Sequence, residues 1–141
     1  MIFLDNQTNI DIELKTLEEI AKYLDINKDI ELIIVDDNSM RTINKEYRGI
    51  DKTTDVLSFP LESIEHLPLG SIIISANKAK EVSNSLNHSL NDEIALLFTH
   101  GLLHLIGYDH EIDNGEMREK EKEIINKFNL PKSLIVRTKG V

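Results

Sequence analysis

The spacing of hydrophobic positions changes several times along the chain, and each change predicts an element. "TLEEIAKYLD" (16–25) carries Leu17, Ile20, Ala21 and Leu24 three or four residues apart, the interval that lines one face of a helix. Thr16 stands where a cap is needed, ahead of an acidic first turn. Residues 38–47 repeat the interval with Met40, Ile43 and Tyr47, and residues 114–128 with Met117, Ile124, Ile125 and Phe128. "ANKAKEVSNSL" (76–86) predicts another helix. The β-branched runs "IELIIVD" (30–36), "DVLSFP" (55–60) and "GSIIIS" (70–75) are short, so they predict strands. Pro60 stops the second and Gly70 opens the third. "IFLDN" (2–6) is a weaker strand. The mixture predicts an α+β fold, a small mixed sheet of about four strands packed with about five helices. Its strand order is not written in the pattern. With no repeat, low-complexity tract or linker, residues 1–141 are expected to form one domain.

Residues 90–106 depart from the amphipathic rule. From Ile94 to Ile106 the stretch is apolar on nearly every side, which predicts a buried, central helix. Ser89 is placed to cap it, with Asp92 three residues on. Inside this greasy segment stand His100 and His104, one helical step of four apart, so both rings project from one face. Gly107 can take the left-handed conformation that ends a helix and reverses the chain, which would bring His110 back toward the other two. A lone buried histidine is commonly a satisfied core residue. Three buried rings are a different matter, because their nitrogens all need partners. The spacing H-x-x-x-H-x-x-G-x-x-H therefore predicts a metal site with His100, His104 and His110 as ligands and a fourth position open. One Zn2+ ion per chain is the expected cofactor, although such a site also admits nickel, iron or copper. Zinc peptidases of this spacing carry glutamate directly after the first histidine. Here that residue is Gly101, which cannot take a proton.

Composition narrows the setting. The chain has no cysteine, so thiolate metal sites and disulfides are excluded. No apolar run reaches the roughly 18 residues of a membrane span, and "MIFLDNQTNI" lacks the basic start and apolar stretch of a leader. A cytoplasmic protein without a membrane partner is expected. The net charge of −9 argues against broad, charge-driven nucleic-acid binding. Any such contact must use a local patch, for which Arg41, Lys45, Arg48 and Lys52 lie close together, with the acidic helix 114–128 facing away. Within that helix, Asp113 with Glu116 reads as a capping box and Glu116 with Lys120 as an ion pair. The tail "PKSLIVRTKGV" carries Lys132, Arg137 and Lys139 and is expected to be flexible at its end.

"HGLLHLIGYDH" (100–110) resembles the signature of the YbeY endoribonucleases, metal-dependent proteins of bacterial ribosomal RNA maturation. "NKEYRGIDKTTDVLSFP" (44–60) is similar to that family's second block, including Tyr47, Arg48, Asp51, Thr54 and Asp55, and "HSLNDEIALLFTHG" (88–101) extends the likeness upstream. The chain departs from the family's usual "LGDI" at Ser71. The resemblance implies an endoribonuclease that cuts single-stranded RNA, ribosomal RNA above all, with a ribosomal protein or GTPase as partner and no action on DNA. It also implies that Arg48 faces the metal cleft, where a guanidinium can answer the charge that builds on a phosphate in the transition state. A surface ion pair of Arg48 with Asp51 or Asp55 is the plainer alternative. The expected catalytic set is Arg48, His100, His104 and His110. His88 or Asp109 could assist with protons, and Asp109 could instead orient a ligand ring or form a turn. Attack by hydroxide and attack by the RNA 2′-OH both remain open. The competing readings are a zinc metallopeptidase-like or other metal-dependent hydrolase, and a non-catalytic ribosome assembly factor.

Overall fold

The computed structural model describes residues 1–61 and 67–138. Within them the chain runs β1 (Ile2–Asn6), α1 (Leu14–Tyr23), β2 (Ile30–Val35), α2 (Asp37–Arg48), β3 (Val56–Pro60), β4 (Gly70–Ser75), α3 (Ala76–Leu86), α4 (Leu90–Leu105), α5 (Glu116–Lys127) and α6 (Ser133–Arg137). This is the α+β arrangement the periodicity predicts, with one short helix more. The four strands lie in the order β1-β2-β4-β3. β1, β2 and β4 are parallel, and β3 joins β4 antiparallel at the edge.

Alternation along the strands sorts side chains onto two faces. Leu32, Ile34, Ile72 and Ile74 turn to one face and meet α1 and α4 in the main core, with Leu17, Ile20, Ala95, Phe98 and Leu102. Val35, Leu57 and Ile73 meet Met40 of α2 in a smaller core. α4 is the hub: twelve of its residues are buried, and through Leu96 it also holds Ile125 of α5 and Leu134 of α6. Burying helix α4 this closely on the sheet requires Gly101. A Cβ there would lie 2.9 Å from the Ile72 side chain on β4. The residue where a peptidase carries its glutamate is thus a packing contact.

Several local expectations shift. α1 begins two residues before Thr16, with Glu13 at its N-cap and no side-chain cap bond, so Thr16 sits inside the helix. At the start of α5, Asp113 accepts from Gly115 and Met117 N–H, while Glu116 accepts from Asn114 N–H. This is a loop cap one residue out of register with the capping box. Lys120 pairs with Glu123 at 2.9 Å, not with Glu116. Residues 133–137 form α6, which buries Leu134 and Arg137; Lys139 and the end of the tail, where flexibility was expected, lie outside the described residues.

Candidate metal centre

α4 starts as its sequence predicts, with Ser89 Oγ accepting from Asp92 N–H at 3.0 Å. Its other end builds the site. Gly107 takes φ +107°, donating to His104 O at 3.1 Å, while Tyr108 N–H reaches Leu103 O at 2.9 Å. These are the two bonds of a Schellman ending, which satisfies carbonyls left over by the last turn and turns the chain back. Asp109 tightens the return by accepting from Glu111 N–H at 3.0 Å. Of its three expected roles, this bond accords with the turn-forming one.

The return delivers His110 to the pair on the helix. Ring centroids lie 4.7 Å apart for His100 and His104, 5.3 Å for His100 and His110, and 5.5 Å for His104 and His110. One ring nitrogen from each comes within 4.8 Å of the others. His100 Nε2 and His104 Nε2 face each other at 3.2 Å. Two nitrogens bound at ~2.0–2.1 Å to one tetrahedral ion stand ~3.3 Å apart. His110 Nδ1 is buried with no hydrogen-bond partner. Three histidines with ring nitrogens this close together, one of them carrying an unpartnered buried nitrogen, could hold a divalent ion, and the residues fit one. Burial, with the neighbouring His100 ring, holds the pKa of His104 below the ordinary imidazole value, which favours the neutral form a ligand needs.

A residue absent from the sequence reading supports this trio. His100 Nδ1 donates to Glu121 Oε1 at 3.0 Å. That bond fixes the proton on Nδ1 and leaves Nε2 bare toward the site, the usual task of a carboxylate behind a metal-binding imidazole. Glu121 is 1% exposed, so α5 does not simply face away. A signal was there: 117, 121, 124 and 128 follow one helical stripe, and Glu121 is its one charged member.

The histidines open onto a cleft of about 530 Å³, which Arg48, Asp55, Ser58 and Pro60 also line. Arg48 is the last residue of α2. The ion pairs offered as its plainer role are taken by others, since Arg41 holds Asp51 at 2.8 Å and Arg137 holds Asp55. Among the described residues Arg48 has no carboxylate partner. The same pairing removes Arg41 from the expected positive strip. His88 is not at the cleft. It is enclosed between Glu93 Oε1 and Ser133 Oγ, both at 2.8 Å, which rules it out as a proton carrier for the site. Ser71 is bonded to Glu31 at 2.8 Å and does not line the cleft, so its departure from the family pattern leaves the histidine site untouched.

Fold and site together define an α+β protein whose three histidines, gathered at the end of a buried helix, can hold a metal ion. A family model described as Endoribonuclease YbeY matches residues 4–129. The chain belongs to this family. It is 56% identical over 140 residues to the Endoribonuclease YbeY of Sulfurimonas denitrificans, covering 99% of this chain and all of that one. To the Campylobacter jejuni protein of the same name it is 63% identical over 125 residues, 88% of this chain and 92% of that one. A solution structure of a Thermotoga maritima protein superposes with a TM-score of 0.66 at 30% identity, covering 94% of this chain and 95% of that chain.

Proposed function

We propose that this endoribonuclease cuts single-stranded RNA during ribosomal RNA maturation, with His100, His104 and His110 holding one zinc ion and Arg48 steadying the phosphate. Family membership makes the chain an endoribonuclease; the substrate and the residue roles are the proposal. The observation that carries it is the guanidinium of Arg48, without a carboxylate partner among the described residues, lining the same cleft as three histidines whose ring nitrogens lie close together. A divalent ion held there supplies a Lewis acid for a phosphate oxygen and lowers the pKa of water.

The chain's own residues do the rest. Arg48 donates charge-assisted hydrogen bonds to the non-bridging oxygens as their charge grows. Asp55 does not act as a base, because one oxygen is bonded to Arg137 and the other accepts from Val56 N–H at 2.8 Å. Gly101 offers no base either, which disfavours peptide cleavage by the peptidase route. No helix among the described residues is long and apolar enough to cross a membrane, which accords with work in the cytoplasm. With a net charge of −9, the protein depends on a ribosomal protein or GTPase partner to reach its RNA.

Replacing Arg48 with Ala tests this reading on RNA and peptide pools. The expected result is at least ~100-fold slower RNA cleavage with metal content and melting temperature unchanged. Undiminished RNA cleavage by Arg48→Ala, or peptide cleavage by the parent protein, would contradict it.

A further inference from the structure

The cleft is bounded by the free edge of the sheet. β3 is the outer strand, and five consecutive residues, 54 to 58, line the cleft beside the histidines. In an antiparallel pair the main-chain groups of alternate residues point toward the partner strand and away from it. Ser75 N–H bonds to Asp55 O and Leu61 N–H to Leu69 O. In the same register Leu57 pairs with Ile73 and Phe59 with Ser71, so the odd-numbered residues face β4. The groups of Val56, Ser58 and Pro60 therefore point outward.

These three residues do not make an ordinary strand edge. Val56 N–H is already bonded to Asp55 Oδ1 at 2.8 Å. Pro60 has no N–H. One outward donor is left, the N–H of Ser58, and it meets no acceptor among the described residues. The outward carbonyls of Val56, Ser58 and Pro60 remain. An edge rich in acceptors and poor in donors cannot pair well with a polypeptide strand, which needs donors and acceptors in alternation. It suits a chain that brings a hydroxyl donor on each unit and an anionic oxygen for the one N–H. RNA has both, in its 2′-OH and its phosphate.

We propose that the free edge of β3 is the track for the RNA backbone, and that the main-chain N–H of Ser58 binds the phosphate held by Arg48. This rests on the RNA-cleaving function argued above. The outward carbonyls accept from 2′-OH groups, so the same edge favours RNA over DNA.

The test compares the parent protein with S58P and S58A on a single-stranded RNA oligomer, and on that oligomer with a phosphorothioate of either configuration at the cut. Proline is tolerated on an edge strand where its missing N–H faces outward, as Pro60 already shows. A hydrogen bond to a charged group accounts for about 10- to 100-fold, so S58P is expected to lose that much in kcat/KM, and S58A, which keeps the N–H, is expected to lose less. Metal content should not change. The parent enzyme should be slowed by sulfur in one configuration, and this discrimination should shrink in S58P, which a purely structural defect would not produce. Should S58P fail to fold, an ester in place of the 57–58 peptide removes the same N–H without the proline ring. S58P or ester protein that cuts RNA at the parent rate overturns the proposal and leaves the function standing. S58P that cuts normally but no longer binds an extended peptide gives the edge to a polypeptide, and also overturns it. A parent protein that cuts no RNA overturns the function itself.

Discussion

Glu121 carries the consequence with the widest reach for a single residue. Its Oε1 accepts from His100 Nδ1 while its Oε2 is buried without a partner. Glu121→Ala would free the His100 ring to change tautomer and tilt. Loss of a carboxylate behind a metal-binding histidine weakens metal affinity by roughly 10- to 100-fold, so competition with a chelator should show a drop of that size. Glu121→Gln keeps an acceptor and should fall less. Equal affinity in the parent and Glu121→Ala proteins would remove Glu121 from the site. The clustering of the three histidines was legible because their spacing is local: a helical step of four, then a glycine turn. Glu121 was harder to read, since it reaches His100 across 21 residues and only its place on the apolar stripe marks it.

At the scale of elements, α4 and its contact with β4 decide the geometry. Gly101 lets the helix lie against Ile72, and a methyl group there would sit at 2.9 Å from that side chain. Overpacking of this kind costs about 1–3 kcal/mol, so Gly101→Ala should lower the melting temperature and disturb the histidines on either side. A Gly101→Ala protein as stable as the parent would show that the helix and strand can part without strain. The element types follow from the hydrophobic periods because apolar spacing records which face is buried. The cap of α5 slipped by one residue, because hydrogen bonds to side chains fix that end and periodicity does not report them; α1 starts two residues early with no side-chain cap bond to mark its end. The order β1-β2-β4-β3 was beyond the pattern for a further reason: which strands neighbour one another depends on packing between distant segments.

Across the whole molecule, α6 is tied to the cleft through Arg137. Arg137 is 7% exposed and donates to Glu93 at 2.8 Å and to Asp55. Burial alone would lower the pKa of its guanidinium, but Glu93 and Asp55 outweigh that and raise it. Glu93 in turn holds His88. Arg137→Met would strand the buried Glu93 carboxylate, and breaking such a pair costs about 3–5 kcal/mol. Its melting temperature should fall accordingly, and a pairing-competent Arg137→Lys should recover part of the loss. Unchanged stability in Arg137→Met would show that the carboxylates find other partners. The anchoring by Arg137 was not legible in the sequence, because a single arginine in a short terminal stretch gives no local hint of partners 44 and 82 residues away.

The most direct measurement is titration of metal-free protein with zinc, for the parent chain and for His100→Ala, His104→Ala and His110→Ala separately. Three imidazoles sharing one ion predict a single tight equivalent in the parent and a marked loss of affinity in every variant, His110→Ala included. Binding by His110→Ala as tight as the parent's would contradict the three-histidine site and the chemistry built upon it.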